Sequence, residues 1–224
     1  MITKNKKLII VGDSAFAEIA YEYFLHDSEF IPVAFSVEKD FKRKDSLFSL
    51  PVEELENLED KYSTDHYIFV ALTYHNFNRT RERLLNSAKN KGFKIASYVS
   101  SKAFVWSNVQ LGENCFIFED NTIQPFVSIG DNVILWSGNH IGHHSKIGSH
   151  CFISSHVVIS GFCGVGDYSF LGVNAALSNN INLAKDNFIA MGAVILSDTE
   201  ENKVYVGNPA KAMKGKASDM KFFK

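Results

Sequence analysis

Along the C-terminal half of the chain an aliphatic residue returns every six positions. From Val99 through Val105, Leu111, Ile117 and onward to Ile195, every sixth residue is Val, Ile or Leu, seventeen in unbroken succession. Neither a helix, with a period of 3.6, nor an ordinary strand, with a period of 2.0, repeats in this way. A period of six predicts a parallel β-helix with three short strands per turn. Three hexapeptides then make one coil, and successive coils stack by backbone hydrogen bonding at ~4.8 Å. The aliphatic side chain points into the narrow prism. Two positions before it lie small or slim residues such as Cys115, Asn121, Val127, Ser145, Cys151, Cys163 and Ala175, which suit a second inward site. Gly112, Gly130, Gly142, Gly148, Gly166 and Gly172 follow the aliphatic residue, and are expected at corners with unusual backbone torsions.

Residues 1–98 have a different grammar. Strands are predicted at Lys7–Val11, Ile31–Ser36, Tyr67–Leu72 and Phe93–Ser97. Helices are predicted at Ala15–Leu25, Val52–Leu58 and Asn76–Lys91. Alternation of this kind predicts a small, parallel, Rossmann-like α/β domain. Gly12-Asp13-Ser14 falls at the first strand-to-helix turn, where helix N-terminal amides can hold a phosphate and where a plain turn with an N-cap also fits. Three regions result: 1–98 α/β, 99–203 β-helix and 204–224 a C-terminal cap or tail.

Composition narrows the function classes. A formal charge of −2 offers no basis for binding nucleic acid or an anionic membrane. No apolar run approaches the ~20 residues that span a bilayer, and Leu8–Val11 is too short for a signal-peptide core; a cytoplasmic location is expected. Cys115, Cys151 and Cys163 are spaced by multiples of six, so they read as core filler and not as a disulfide framework.

The repeat, together with Gly207-Asn208-Pro209-Ala210-Lys211 after it, resembles the hexapeptide-repeat acyltransferases, whose helix is left-handed and whose closing segment reads G-x-P-A-K. A small α/β domain followed directly by such a helix is similar to the sialic acid O-acetyltransferases and bacillosamine-pathway nucleotide-sugar N-acetyltransferases. The resemblance covers nearly the whole chain. It implies a homotrimer that transfers an acetyl group from acetyl-CoA to a nucleotide-linked sugar, on an amine more than a hydroxyl, in glycan or surface-polysaccharide synthesis. It also implies coenzyme contacts at Phe152, Gly161, Gly192, Pro209 and Lys211. Gly12, Asp13, Ser14 and Ser36 fall at the family's nucleotide-sugar positions.

Five of the eight histidines, His140, His143, His144, His150 and His156, lie within 17 residues. The γ-class carbonic anhydrases share the helix and bind metal through histidines, two of them five residues apart. No pair here is five apart, and His144, His150 and His156, six apart, fall on three faces. No metal is therefore expected, although a hydratase or a non-catalytic module stays an alternative. By resemblance His143 is the general base and Gly161, one coil on, offers its N–H to the thioester oxygen. His144 stands where the family often has an orienting carboxylate, and so joins the catalytic candidates. Phe116, Ile134, Phe152, Phe170 and Phe188 recur every 18 residues just before an inward aliphatic. They predict an outward ladder covered by a neighbouring subunit beside the coenzyme groove.

Overall fold

The computed structural model describes residues 4–220. The chain divides into two compact units, Met1–Thr73 with Thr80–Tyr98, and Tyr74–Arg79 with Val99–Lys224. Among the described residues no helix is long and apolar enough to cross a membrane.

The first unit is a six-stranded sheet. Its elements run β1 (Lys6–Val11), α1 (Ala15–His26), β2 (Phe30–Val37), β3 (Ser46–Leu47), β4 (Leu50–Glu54), α2 (Leu58–Lys61), β5 (Tyr67–Val70), α3 (Arg79–Asn90) and β6 (Lys94–Ile95). The strand order is β3-β4-β2-β1-β5-β6, with β3 antiparallel to β4 and the other neighbours parallel. Leu8, Ile9 and Ile10 are fully buried, as a central strand covered on both faces requires. Two expectations are corrected here. Val52–Leu58 is not a helix: Val52 pairs with Phe35 in β4, and a 3-10 turn at Leu55–Asn57 follows. The acidic run around it favours helix, but burial of Val52 against β2 prevails. The helix expected from Asn76 begins at Arg79, because Asn76, Phe77 and Asn78 all take positive φ (49°, 49° and 62°).

The second unit is a left-handed parallel β-helix. Two-residue strands from Phe104–Val105 to Val194–Ile195 alternate among three sheets. Residues 18 apart pair in register, as His140 with Val158 and Ile141 with Ile159. We call the sheet of Thr122, His140 and Val158 the histidine face, that of Ser128 and Lys146 the polar face, and that of Phe116 and Phe152 the aromatic face. One continuous core fills the prism, made of the six-period aliphatics and the slim residues two before them. Each buried Leu or Ile contributes roughly 1.5–3 kcal/mol. The three cysteines are buried within it, and burial pushes the Cys151 thiol up to about 12. Val204–Val206 extends the aromatic face parallel to Phe188–Ile189 and then pairs antiparallel with Lys211–Ala212.

The corners differ from expectation. The glycines after the aliphatic residue do not take positive φ. That conformation falls two residues later, at every sixth position from Asn114 to Gly192, including His144 (φ 61°), His150 (φ 61°) and His156 (φ 59°). The corner N–H then donates to a carbonyl of the preceding coil, as Phe162 does to His143 at 2.9 Å. The glycines instead permit close stacking: a Cβ on Gly142 would lie 2.5 Å from the Ser160 carbonyl carbon.

The phenylalanine ladder is a second correction. Phe152, Phe170 and Phe188 stack nearly parallel at 5.4 and 5.0 Å, yet they are buried within this one chain. Tyr74 sets its ring edge on Phe152 (5.0 Å) and Phe170 (5.3 Å). The strap Tyr74–Arg79 is held by Asn78 Nδ2 donating to the His150 carbonyl (2.6 Å) and by Arg79 pairing with Asp186 (2.5 Å). No partner subunit is needed to cover this face.

Candidate functional site

His143 and His144 leave the histidine face at one corner, two and three residues after inward Ile141. His143 is exposed, and its backbone N–H donates to Gln124 Oε1 at 2.9 Å. One coil on sits Gly161. A Cβ there would come within 2.9 Å of both Cε1 and Nε2 of His143, so the imidazole rests directly on the glycine backbone. The expected juxtaposition of His143 and Gly161 is present.

The amide of that glycine also has a partner on the next coil. The Gly161 N–H donates to Asn179 Oδ1 at 3.0 Å, as other corner amides donate to side chains 18 residues on: Glu113 to Asp131, and Ser149 to Asp167. Gly161 serves as a seat for the ring.

His144 lies against its neighbour. The two Nδ1 atoms are 3.1 Å apart. The His144 ring is sandwiched between Phe126 (4.6 Å) and Phe162 (4.8 Å), and Phe162 also meets His143 edge-on at 5.0 Å. Phe126 and Phe162 were missed in the sequence, although their spacing of 18 from His144 to either side was there to be read. Both are more than half exposed.

The other histidines are apart from this pair. His150, on another corner, takes Asn132 at 3.0 Å and stacks on Tyr168. His156 packs on Gly138 at the third corner. Among the described residues no group of three or more His, Cys, Asp or Glu is placed to hold a metal ion.

Of the coenzyme candidates, Gly192, Pro209 and Lys211 are exposed. They belong to one end of the helix, where Ala210 N–H bonds the Val194 carbonyl (2.8 Å) and Val194 N–H the Gly207 carbonyl (3.0 Å). Phe152 is only 5% exposed and lies under Tyr74.

In the first unit, Ser36 is fully buried and, among the described residues, its Oγ has no partner. The Gly12 N–H donates to the Ser36 carbonyl at 2.7 Å. Gly12 itself is required twice over: its φ is 127°, and a Cβ would meet the Ala71 oxygen at 2.8 Å. Both residues build the turn. Asp13 and Ser14 remain at the surface, Ser14 as an N-cap without a side-chain bond. Lys44, unremarked in the sequence, donates to the Asp13 carbonyl at 2.9 Å.

Residues 108–142 and 126–161 match the family model described as bacterial transferase hexapeptide (six repeats). In structure the chain is similar to the acetyltransferase domain of PglB from Neisseria gonorrhoeae FA1090, at 23% identity and a TM-score of 0.82, covering 93% of this chain and 100% of that one. It is likewise similar to PerB from Caulobacter crescentus, in complex with CoA and GDP-perosamine, at 24% identity and a TM-score of 0.81, covering 92% and 97%. WeeI from Acinetobacter baumannii AYE follows at 18% identity and a TM-score of 0.72, covering 93% and 100%. These likenesses establish a shared fold, the α/β unit and the hexapeptide helix together. No curated protein sequence matches the chain.

Proposed function

We propose that the chain is an acetyl-CoA-dependent acetyltransferase acting on the amine of a nucleotide-linked sugar, working as a cytoplasmic homotrimer in glycan precursor synthesis. The observation that carries the reading is an exposed imidazole at a hexapeptide corner, seated on Gly161 with its Nδ1 bonded to a second imidazole. Such a ring has one nitrogen tied and one, Nε2, available. Nε2 takes the proton as the amine attacks the thioester carbonyl, the C–S bond breaks, and coenzyme A leaves as the thiol after protonation. No acyl-enzyme is required, because the thioester is already activated. The neighbours lend support: the PglB domain is known in complex with acetyl coenzyme A, and the perosamine N-acetyltransferase with CoA and GDP-perosamine.

Lys211 suits the coenzyme phosphates, with Gly192 and Pro209 beside it at the same end of the helix. Asp13 and Ser14, at the surface of the turn that Gly12 and Ser36 build, suit the nucleotide sugar. Subunit association is favoured by exposed Phe104, Trp106, Phe126, Val158 and Phe162, which lie on the histidine face and its corner. A patch of this kind marks an interaction surface, and it replaces the aromatic face as the site of contact between copies.

The test is thiol release from acetyl-CoA over a panel of nucleotide-linked amino sugars and their hydroxyl counterparts. Release is expected with an amino sugar. Absence of release with every acceptor, together with no binding of coenzyme A by calorimetry, contradicts the proposal. Gly161→Ala sharpens it. Gly161 does not take positive φ, so the backbone accepts alanine, but the new methyl displaces the imidazole. A fall in kcat of about 10²-fold is expected from misplacement of the base, with little change in the unfolding midpoint.

A further inference from the structure

We propose that Asn179 is a catalytic residue whose side-chain Nδ2 donates to the thioester oxygen as that oxygen gains charge. The inference rests on the acyl-transfer reading above and deepens it by naming a further group for the same reaction.

His143, Gly161 and Asn179 are spaced by 18 and hold one position on three successive coils, so they form a column at one corner of the histidine face. Rungs of such a stack are ~4.8 Å apart. His143 and Asn179 are exposed, and Gly161 is buried between them. Both side chains lean onto the glycine. The imidazole Nε2 comes within 2.9 Å of where a Gly161 Cβ would be, and Asn179 Oδ1 lies 3.0 Å from the Gly161 nitrogen. A base and an amide thus converge on one residue from opposite sides.

The dipeptide Asn179-Asn180 grips Gly161 by both polar groups of its backbone. Gly161 N–H donates to Asn179 Oδ1, and Asn180 N–H donates to the Gly161 carbonyl at 3.1 Å. The first bond fixes which way the Asn179 amide faces, because an N–H can donate to Oδ1 and not to Nδ2. Nδ2 keeps its two protons and, among the described residues, makes no hydrogen bond. An amide locked by its oxygen and open at its nitrogen is a preorganised donor.

The choice of residue supplies a second argument. The same bond, from a corner N–H to a side chain one coil on, is made three times at another corner. Glu113 N–H donates to Asp131 Oδ1 (2.8 Å), Asp131 N–H to Ser149 Oγ (3.1 Å) and Ser149 N–H to Asp167 Oδ1 (2.8 Å). A carboxylate or a hydroxyl therefore satisfies this backbone. Asn179 keeps the acceptor, adds an NH2 group and brings no charge. Beside a developing oxyanion a carboxylate repels, whereas the amide N–H attracts.

The chemistry needs no other participant. As the sugar amine adds to the carbonyl carbon, the C=O π pair moves onto oxygen and Nδ2 donates to it. The amine proton passes to His143 Nε2. The pair then returns from oxygen, the C–S bond breaks and the thiol leaves after protonation.

The experiment uses the full chain, acetyl-CoA and the amino sugar that gives thiol release. Asn179→Asp keeps the acceptor for Gly161 and removes the donor. Asn179→Ala removes both and leaves the Gly161 N–H open. Each should lower kcat by about 10²–10³-fold, while KM for acetyl-CoA stays within about twofold and the unfolding midpoint holds. A side chain that serves only as acceptor predicts wild-type kcat in Asn179→Asp. A thioester served by the Gly161 N–H alone predicts kcat at or above wild type in Asn179→Ala. Either result overturns the proposal. A second readout needs no sugar. Against free coenzyme, the carbonyl stretch of isotope-labelled acetyl-CoA should fall to lower wavenumber on binding, a shift that His143→Ala keeps and both Asn179 variants lose. A shift that survives in the Asn179 variants also overturns the proposal. If acetyl-CoA does not bind the unmodified chain, the acyl-transfer reading fails and this one with it; absence of the Asn179 effects alone leaves that reading standing.

Discussion

Replacing His143 with alanine is expected to lower kcat for acetyl transfer by roughly 10²–10⁴-fold, the range in which a positioned general base contributes. At 1.36 kcal/mol for each tenfold change in rate, that is about 3–5 kcal/mol of transition-state stabilisation. KM for acetyl-CoA should hardly move, because the coenzyme candidates Gly192, Pro209 and Lys211 lie at the end of the helix and not around this ring. Folding should be unaffected: His143 is exposed, and its one backbone donor bond, to Gln124, does not depend on the side chain. Steady-state thiol release and a denaturation curve, run side by side, check both halves. A lowered kcat with an intact unfolding midpoint is the expected pair of results.

The largest stability effect is expected at the middle of the prism. Ile153 is fully buried and stacks between Leu135 and Leu171, its partners on adjoining strands of the aromatic face. Ile153→Ala removes side-chain volume from a cross-section that three faces enclose, leaving little scope for collapse. A loss of about 2–5 kcal/mol is expected, the transfer and cavity terms together. Leu111, at the first coil and 36% exposed, provides the contrast. Leu111→Ala should cost much less, since water already reaches the site. Stability in a solenoid is a sum of coil and neighbour terms, so denaturant curves should show the central substitution weakening the whole helix and the terminal one fraying its end. Equal effects at the two positions contradict this ranking.

The helix was legible because its rule is simple. A residue that must point into a narrow prism every sixth position leaves an aliphatic every sixth position, from Val99 to Ile195. The slim residues two before it follow from the same geometry. The corners were less legible, since the glycines that stand out in the sequence are not those with unusual torsions. Gly142 and its equivalents admit the next coil, whereas the left-handed positions hold Asn, Asp, His and even Phe.

Contacts distant in sequence were legible least. Nothing in the period of six says that Tyr74 will cover Phe152 and Phe170, so an outward ladder was read as a partner's surface. Nor does it say that Asn179 will take the Gly161 amide. In the α/β unit the charged run after Val52 looks helical until the pairing of Val52 with Phe35 is known. The site was half visible. His143 and Gly161 follow from register, but the bracket of Phe126 and Phe162 around His144 becomes evident once 18-residue coils are drawn.

The most direct measurement is a structure of the chain with coenzyme A and a turnover-competent nucleotide amino sugar. The attacking nitrogen is expected within hydrogen-bond distance, about 2.6–3.2 Å, of His143 Nε2, with the coenzyme thiol on its far side. A sugar amine bound out of reach of His143, with another side chain against it, would contradict the mechanism.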